Sequence, residues 1–162
     1  MSEDASEFVQ ALSNNREAVG FIPGEALGDV LQAWGSGHGS DGVLRVRLPY
    51  RPGRKDRQLA SVLLQALGQP PLTQGVSTAR AWEVVANRCK ECGCRLVVIE
   101  NADLLDKDGL ACVNRRVLPA VLLVGGERLA QRIARNSDYA ECILNWGAES
   151  RCVGGLRANS DL

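Results

Sequence analysis

The sequence predicts a single α/β domain in which helices cover both faces of a mostly parallel sheet, a three-layer sandwich. Two continuous apolar runs, Leu96–Ile99 and Ala120–Val124, consist mainly of branched residues, as is typical of strands buried on both faces. Segments with apolar residues at helical spacing separate these runs, and this alternation favours parallel strands joined by helices. A chain of 162 residues has the length of one domain, so we expect no separate lid domain.

The first strand and helix are predicted near the N-terminus. Val19–Ile22 is a short apolar run that Pro23 stops, and from Glu25 onward apolar residues recur at helical spacing. The stretch Gly35–Gly42 is rich in glycine and has few side chains able to pack, so we expect a flexible loop there. Residues 1–18 are acidic and polar, and they predict a short amphipathic arm outside the core.

A second strand and two helices follow. The strand is predicted at Val43–Leu48, and a basic segment separates it from the next helix. That helix has its apolar face within Leu59–Leu67. A further helix is predicted to begin at a Ser77 or Thr78 cap and to end at Gly93.

The C-terminal half continues the alternation. We expect a helix around Leu104–Val117, and one broken helix or two consecutive helices as far as Trp146. Cys152-Val153 predicts a last short strand. The α/β domain is therefore placed at residues 19–150, with a C-terminal tail at residues 151–162.

Composition and charge exclude several classes of function. Lys and Arg number 19, and Asp and Glu also number 19, so no overall field draws the chain to nucleic acid or to an anionic membrane. Such binding needs a local patch. The apolar runs fall short of the roughly 18 residues that a membrane-spanning helix needs. The acidic first residues lack the features of a secretory signal, so we expect a cytoplasmic protein with no membrane association.

The strand before Glu100 resembles a known motif. Leu96–Leu105, with the sequence LVVIENADLL, is similar to the Walker B segment of AAA+ ATPases, in the form found in TniB-type transposition and DNA-processing ATPases. Pro119–Gly125 and the residues up to Leu129 look like the sensor-one strand of that family. The resemblance implies a P-loop NTPase fold with ATP as cofactor over about residues 19–150. An ordinary flavodoxin-like or Rossmann-like domain is the alternative fold.

The residues at the expected phosphate loop depart from the family pattern. The family has G-x-x-x-x-G-K-[ST], in which backbone N–H groups and the lysine hold the phosphates and the hydroxyl holds Mg²⁺. Here Gly24 and Gly28 are one residue too close together, and Asp29 and Val30 replace the lysine and the hydroxyl residue. A carboxylate at this position would repel a triphosphate.

The other nucleotide-site positions depart as well. Glu100 replaces the aspartate that orients the metal's water shell, and Asn101 replaces the glutamate that polarises the attacking water. Asparagine cannot accept a proton, so general-base assistance, typically worth about 10²–10⁴ in rate, is lost. Gly125 offers no polar side chain at the sensor position. These departures predict a vestigial nucleotide site with no catalytic residue and no resident cofactor, and they leave residual ATP or ADP binding open.

The chain has one main concentration of positive charge, Arg51, Arg54, Lys55 and Arg57, which Arg45 and Arg47 extend on the preceding strand. Such a group can contact DNA phosphates. We favour a solvated loop over a DNA contact. The premise is that no aromatic or amide side chain lies among these cations to read bases.

Cys89, Cys92 and Cys94 form the densest cysteine cluster, and Cys112 or Cys142 could add a fourth thiolate for zinc or an iron–sulfur cluster. The second C-x-x-C that would make the signal specific is missing. Cys89 also continues the apolar face of its helix, so we expect small core residues and no zinc. A redox switch remains an alternative.

The function that these observations favour is a catalytically silent AAA-type domain acting as a regulatory or adaptor module in DNA transposition or processing, or in an ATPase assembly. Its partners would be another protein, a second copy of this chain, or DNA bound through residues 45–57. One alternative is a nucleotide- or phosphate-binding domain with little or no ATPase activity, using Gly24–Gly28. The other is a cysteine-based metal or redox sensor.

Overall fold

The computed structural model describes residues 3–14, 18–70, 72–73, 75–115 and 118–146. Within these ranges, helices and strands alternate along the chain as they do in α/β domains. The elements are α1 (Glu3–Ser13), β1 (Val19–Ile22), α2 (Leu27–His38), β2 (Val43–Arg47), α3 (Lys55–Ala66), α4 (Thr78–Cys92), β3 (Leu96–Glu100), α5 (Lys107–Arg115), β4 (Ala120–Val124), α6 (Glu127–Ala134), α7 (Ser137–Cys142) and β5 (Ile143–Asn145).

The strands form one sheet in the order β2-β3-β4-β1-β5. All four neighbouring pairs are parallel, with Val19 of β1 paired to Val121 of β4 and to Ile143 of β5. The predicted α/β class with a parallel sheet is confirmed. Because the strands are parallel, their carboxyl ends share one edge of the sheet, where α/β proteins usually place their functional residues.

Apolar clusters lie on both faces of the sheet. Leu122 and Leu123 are successive, fully buried residues of β4, and they belong to different clusters because side chains alternate along a strand. Helices α1 and α2 cover one face, and α3 to α7 contribute to the cluster on the other. This arrangement is compatible with a three-layer sandwich.

Helix α1 packs against the sheet, which differs from the expected arm outside the core. Ala5 and Leu12 are fully buried, and Phe8 makes an edge-to-face contact with Trp146 at a centroid separation of 5.6 Å. Gly20 makes room for this packing, since a Cβ there would lie 2.7 Å from the Phe8 ring. The buried face of α1 is therefore part of the domain's own core.

Helix α2 continues through Gly35 to His38, where the sequence predicted a flexible loop. The Ser36 hydroxyl donates to the Gln32 carbonyl at 3.1 Å, and the His38 ring stacks on Trp34 with the centroids 4.0 Å apart. The helix ends at Gly39, whose φ of +80° suits glycine. Local side-chain contacts thus maintain the helix despite its glycines.

The last described strand, β5, occupies Ile143–Asn145, where the sequence predicted helix as far as Trp146. Its residues are selected by parallel pairing with β1, which local periodicity does not reveal. The strand predicted at Cys152-Val153 and the tail at residues 151–162 lie outside the described residues.

The predicted boundaries of α4 are confirmed. The Ser77 hydroxyl accepts a hydrogen bond from the Arg80 N–H at 3.0 Å, and Gly93 adopts a left-handed conformation with φ of +72° after the last turn. No helix in the described part of the chain is long and apolar enough to cross a membrane.

Candidate functional site

The turn between β1 and α2 lies where the resemblance places a phosphate loop. Only Pro23 separates β1 from a 3-10 turn at Gly24–Ala26, and α2 follows directly. The Ala26 N–H donates to the Pro23 carbonyl at 3.0 Å, and the Leu27 N–H donates to the Gly24 carbonyl. A phosphate loop leaves such N–H groups directed at the anion. The Ala26 and Leu27 N–H groups are therefore bonded within the chain and are not directed at an anion.

The side chains of this turn also differ from a phosphate site. Gly28 and Asp29 are exposed in the first turn of α2, and Val30 is fully buried in the core formed with α1. Neither Gly24 nor Gly28 has a positive φ, and a Cβ at either position would meet no atom within 4 Å. The fold therefore requires a core residue at Val30 but does not require either glycine.

Glu100 points toward β2 and forms an ion pair there. The Arg45 Nη2 and Nε atoms lie 3.0 and 3.2 Å from Glu100 Oε2. The strand β4 separates β3 from β1, so at about 4.8 Å per strand the end of β3 lies roughly 10 Å from the β1–α2 turn. The Glu100 carboxylate is thus bound to a basic residue on the side away from that turn.

Asn101 connects the end of β3 to the residues that follow β2. Its amide nitrogen donates to the Leu48 carbonyl at 2.9 Å, and its amide oxygen accepts from the Tyr50 hydroxyl at 3.1 Å. Asn101 has a φ of +62°, a left-handed conformation that asparagine tolerates better than most residues. The residue at the expected catalytic-base position therefore holds the start of the basic segment.

The sensor position is closed by Asp103. Its carboxylate accepts from the Gly126 N–H at 2.9 Å and from the Leu129 N–H at 2.8 Å, and so caps α6 from another part of the chain. A Cβ at Gly125 would lie 3.1 Å from Asp103 Oδ1 and 2.9 Å from the Leu129 side chain. Glycine at position 125 thus allows the carboxylate to approach the helix.

The basic segment borders an open groove with a volume of about 410 Å³. Three guanidinium groups line it, together with apolar and neutral polar side chains. The lining residues are Arg51, Pro52, Arg54, Arg57, Gln58, Ser61 and Leu72. From Arg45 to Arg57 the sequence has six cations and a single anion, Asp56, so the groove lies in a locally positive region.

Arg54 is held in place by Asp56. Its Nε and Nη2 atoms lie 3.2 and 2.7 Å from the two carboxylate oxygens, and the hydrogen bond and charge of Asp56 raise the Arg54 pKa. The same carboxylate accepts from the Arg57 N–H at 2.8 Å, near the start of α3. A guanidinium has five N–H donors, so Arg54 retains donors for an anion.

The other cations of the segment differ in their internal contacts. Arg57 donates to the Val76 carbonyl at 2.7 Å, and Lys55 donates to the Arg51 carbonyl and to Gln58. The Arg51 side chain makes no hydrogen bond or ion pair with any residue that the structure describes. Of the four predicted DNA-contact residues, three therefore have a side-chain contact within the described residues, and Arg51 has none.

Tyr50 was missed by the sequence interpretation, which treated the basic segment as having no interleaved aromatic residue. That premise is wrong, because Tyr50 lies between Arg47 and Arg51 and is 75% exposed. The signal was present in the sequence, as a tyrosine directly after Pro49 within a cationic stretch. The sequence interpretation also missed that Asp103 and Arg132 connect the turn after β3 with α6. Arg132 donates to the Asp103 and Leu105 carbonyls.

The cluster of Cys89, Cys92 and Cys94 lies at the opposite edge of the sheet, where β3 begins. Cys89 is buried, Cys94 is half-buried and Cys92 is exposed, and no disulfide joins the cysteines in the described part of the chain. A contact with the Cys94 thiol, together with burial, raises the Cys89 pKa, and the same contact lowers the Cys94 pKa. No group of three His, Cys, Asp or Glu side chains within the described ranges has the arrangement of a metal site.

The structure thus divides the predicted site residues into separate sets. Glu100 and Asn101 adjoin β2 and the basic segment, whereas Gly24–Val30 form a closed turn two strands away. Comparison of the chain with protein-family models gives no match, and comparison with curated proteins gives none either.

Proposed function

We propose that this chain is a catalytically silent P-loop-ATPase-like domain that acts as a DNA-binding adaptor in transposition, DNA processing or an ATPase assembly. The observation that carries the proposal is the position of Glu100 and Asn101. At the place where the resemblance puts nucleotide chemistry, Glu100 binds Arg45, and Asn101 binds Leu48 and Tyr50. Both residues therefore support the basic surface instead of a nucleotide.

The strand order supports the fold part of the proposal. Rossmann domains have the order 3-2-1-4-5-6 and flavodoxin-like domains 2-1-3-4-5, and neither places the strand after β3 between β3 and β1. The order β2-β3-β4-β1-β5 does so. With Ala120–Val124 between Leu96–Glu100 and Val19–Ile22, the sheet differs from both alternative folds, and this supports the P-loop-like assignment.

The groove supports DNA as the ligand. Phosphate contacts supply most of the affinity of sequence-independent DNA binding, and arginine is suited to them because its planar N–H groups match phosphate oxygens. Arg54 and Arg57 are fixed by Asp56 and Val76, and the Arg51 side chain makes no hydrogen bond or ion pair with the described residues. Two positioned guanidinium groups beside an uncommitted one form a surface that can follow a phosphate backbone.

The test compares two charge reversals of equal size. Arg51→Glu removes a groove cation that supports no described contact, and the matched control Arg128→Glu alters an exposed cation on α6. We expect Arg51→Glu to weaken DNA binding about tenfold at low salt and to reduce the slope of log K against log salt by about 0.9 for each phosphate that the variant no longer neutralises. Fluorescence anisotropy with labelled DNA between about 50 and 200 mM salt measures both quantities.

Nucleotide binding is measured on the same protein by thermal unfolding with ATP or ADP and Mg²⁺. A ligand present at 100 times its Kd adds about 2.7 kcal/mol to stability, and we expect no such gain. Equal loss of DNA binding in Arg51→Glu and Arg128→Glu would contradict the groove assignment. A clear gain with ATP would contradict the silent-domain assignment.

A further inference from the structure

Tyr50 is the one large apolar side chain that is strongly exposed in the part of the chain that the structure describes, at 75%. It lies between Arg47 and Arg51, next to the groove that Arg51, Arg54 and Arg57 line. An exposed aromatic ring is ordinary on a protein surface when it is isolated. Here it adjoins the densest group of cations in the sequence.

The ring of Tyr50 is held at both ends. Its hydroxyl donates to Asn101 Oδ1 at 3.1 Å, and the Asn101 amide donates to the Leu48 carbonyl at 2.9 Å. The Leu48 N–H in turn donates to the Glu100 carbonyl at 3.1 Å, which ties the backbone before Tyr50 to β3. A side chain that is already positioned loses less conformational entropy when it binds a ligand.

The chemistry of this surface combines an exposed aromatic face with guanidinium groups. Aromatic rings stack on unpaired bases, and adjacent cations contact the phosphates that join them. A duplex offers phosphates but keeps its bases stacked inside. A ligand that uses both Tyr50 and Arg51 must therefore expose its bases.

Building on the proposed function, we propose that this surface binds single-stranded DNA, with an unpaired base stacked on Tyr50 and the adjoining phosphates on Arg51 and the groove. Base stacking is tolerant of sequence, so the binding depends on strandedness more than on base identity. Asn101 is a positioning residue in this arrangement because it holds the Tyr50 hydroxyl.

The experiment measures the affinity of the full chain for labelled oligo(dT) and for a labelled duplex of equal length. Tyr50→Ala removes the ring, and Tyr50→Phe keeps the ring while removing the hydroxyl bond to Asn101. We expect Tyr50→Ala to weaken binding of the single strand by about 5- to 100-fold and to change duplex binding less than about twofold. Tyr50→Phe should stay within about threefold of the unmodified chain for both ligands.

The outcomes separate this inference from the proposed function. Binding of the duplex that depends on Arg51 but not on Tyr50 would leave the proposed function standing and overturn the single-strand assignment. Equal weakening of both ligands by Tyr50→Ala would also overturn it, because the ring would then only shape the surface. No binding of either DNA would overturn both proposals. Since Tyr50 is exposed, unchanged thermal unfolding of Tyr50→Ala verifies that the variant is folded.

Discussion

The β1–α2 turn and the basic segment after β2 lie at the same edge of one sheet, yet they use their polar groups in opposite ways. In the turn, the Ala26 and Leu27 N–H groups donate to carbonyls three residues back along the chain. In the basic segment, the Arg51 guanidinium has no partner among the described residues, and Arg54 retains N–H donors after binding Asp56. The first region is closed by its own backbone, and the second remains open to an anion.

This difference shows that a sequence motif does not by itself reveal which N–H groups are free to bind an anion. Gly24 and Gly28 resemble part of a phosphate-loop pattern, but the backbone at Gly24 is folded into a 3-10 turn. Glu100 and Asn101 resemble a Walker B pair in their polar character, but their side chains contact residues of β2 and the segment after it. A ligand can bind only to the groups that face solvent. Substitutions in the two regions can therefore test whether they differ as described.

The largest expected effect is at Asp103, which closes the sensor position. Replacing Asp103 by Ala removes a carboxylate that accepts two N–H bonds at the start of α6. A hydrogen bond to a charged group and a helix cap each contribute about 1–3 kcal/mol to stability. We therefore expect a loss of about 2–3 kcal/mol in the free energy of unfolding. Urea unfolding measures it. Asp41→Ala, at an exposed turn position, is the matched control and should change stability by less than about 0.5 kcal/mol.

The next effect concerns Asn101, which joins the end of β3 to the start of the basic segment. Asn101→Ala loses the bonds to Leu48 and Tyr50 and places alanine at a φ of +62°, so we expect a loss of about 1–3 kcal/mol in unfolding free energy. Asn101→Gly loses the same side-chain bonds without the backbone strain and should be less destabilised. If the two variants were equally stable, the left-handed conformation would not contribute, and the bonds alone would explain the residue.

Most of the sheet could be predicted from the sequence because short stretches of residues identify its strands and the helices between them. Branched apolar runs identify β3 and β4, and the Ser77 cap and Gly93 define α4. The end of α2 was missed because its stabilising contacts, at Ser36 and His38, are made by side chains in a glycine-rich stretch. The errors at α1 and β5 arose where structure depends on distant residues. Helix α1 joins the core because Gly20 makes room for Phe8, and β5 forms because β1 pairs with it.

For the candidate site, the sequence predicted residue types but not their contacts. The absence of a lysine from Gly24–Val30 and the cationic character of residues 45–57 are evident from the sequence alone. The bonds from Asn101 to Leu48 and to Tyr50 span 53 and 51 residues, so only the paired strands β2 and β3 bring these groups together. The 75% exposure of Tyr50 on this surface is likewise not given by the periodicity of the sequence.

A smaller effect of opposite sign is expected at Gly28. It lies in the first turn of α2 with a φ outside the left-handed region, and a Cβ there would meet open space. Gly28→Ala should therefore raise the free energy of unfolding by about 0.4–1 kcal/mol, because alanine restricts the unfolded chain. Gly20→Ala is the contrasting variant and should be destabilised by about 1–3 kcal/mol through its clash with Phe8. Destabilisation by Gly28→Ala would show that the turn adopts another conformation.

The smallest expected effect gives the sharpest test of the closed turn. Asp29→Lys restores the charge of the phosphate-loop lysine at an exposed position of α2. If charge alone excluded ATP, this variant would gain affinity. Because the Ala26 and Leu27 N–H groups remain bonded to the chain, we expect no ATP-dependent rise in thermal stability. Asp29→Asn, which removes the carboxylate without adding a cation, is the control. A rise with Asp29→Lys alone would mean that the turn opens for a phosphate, and that the difference between the two regions is one of charge and not of backbone geometry.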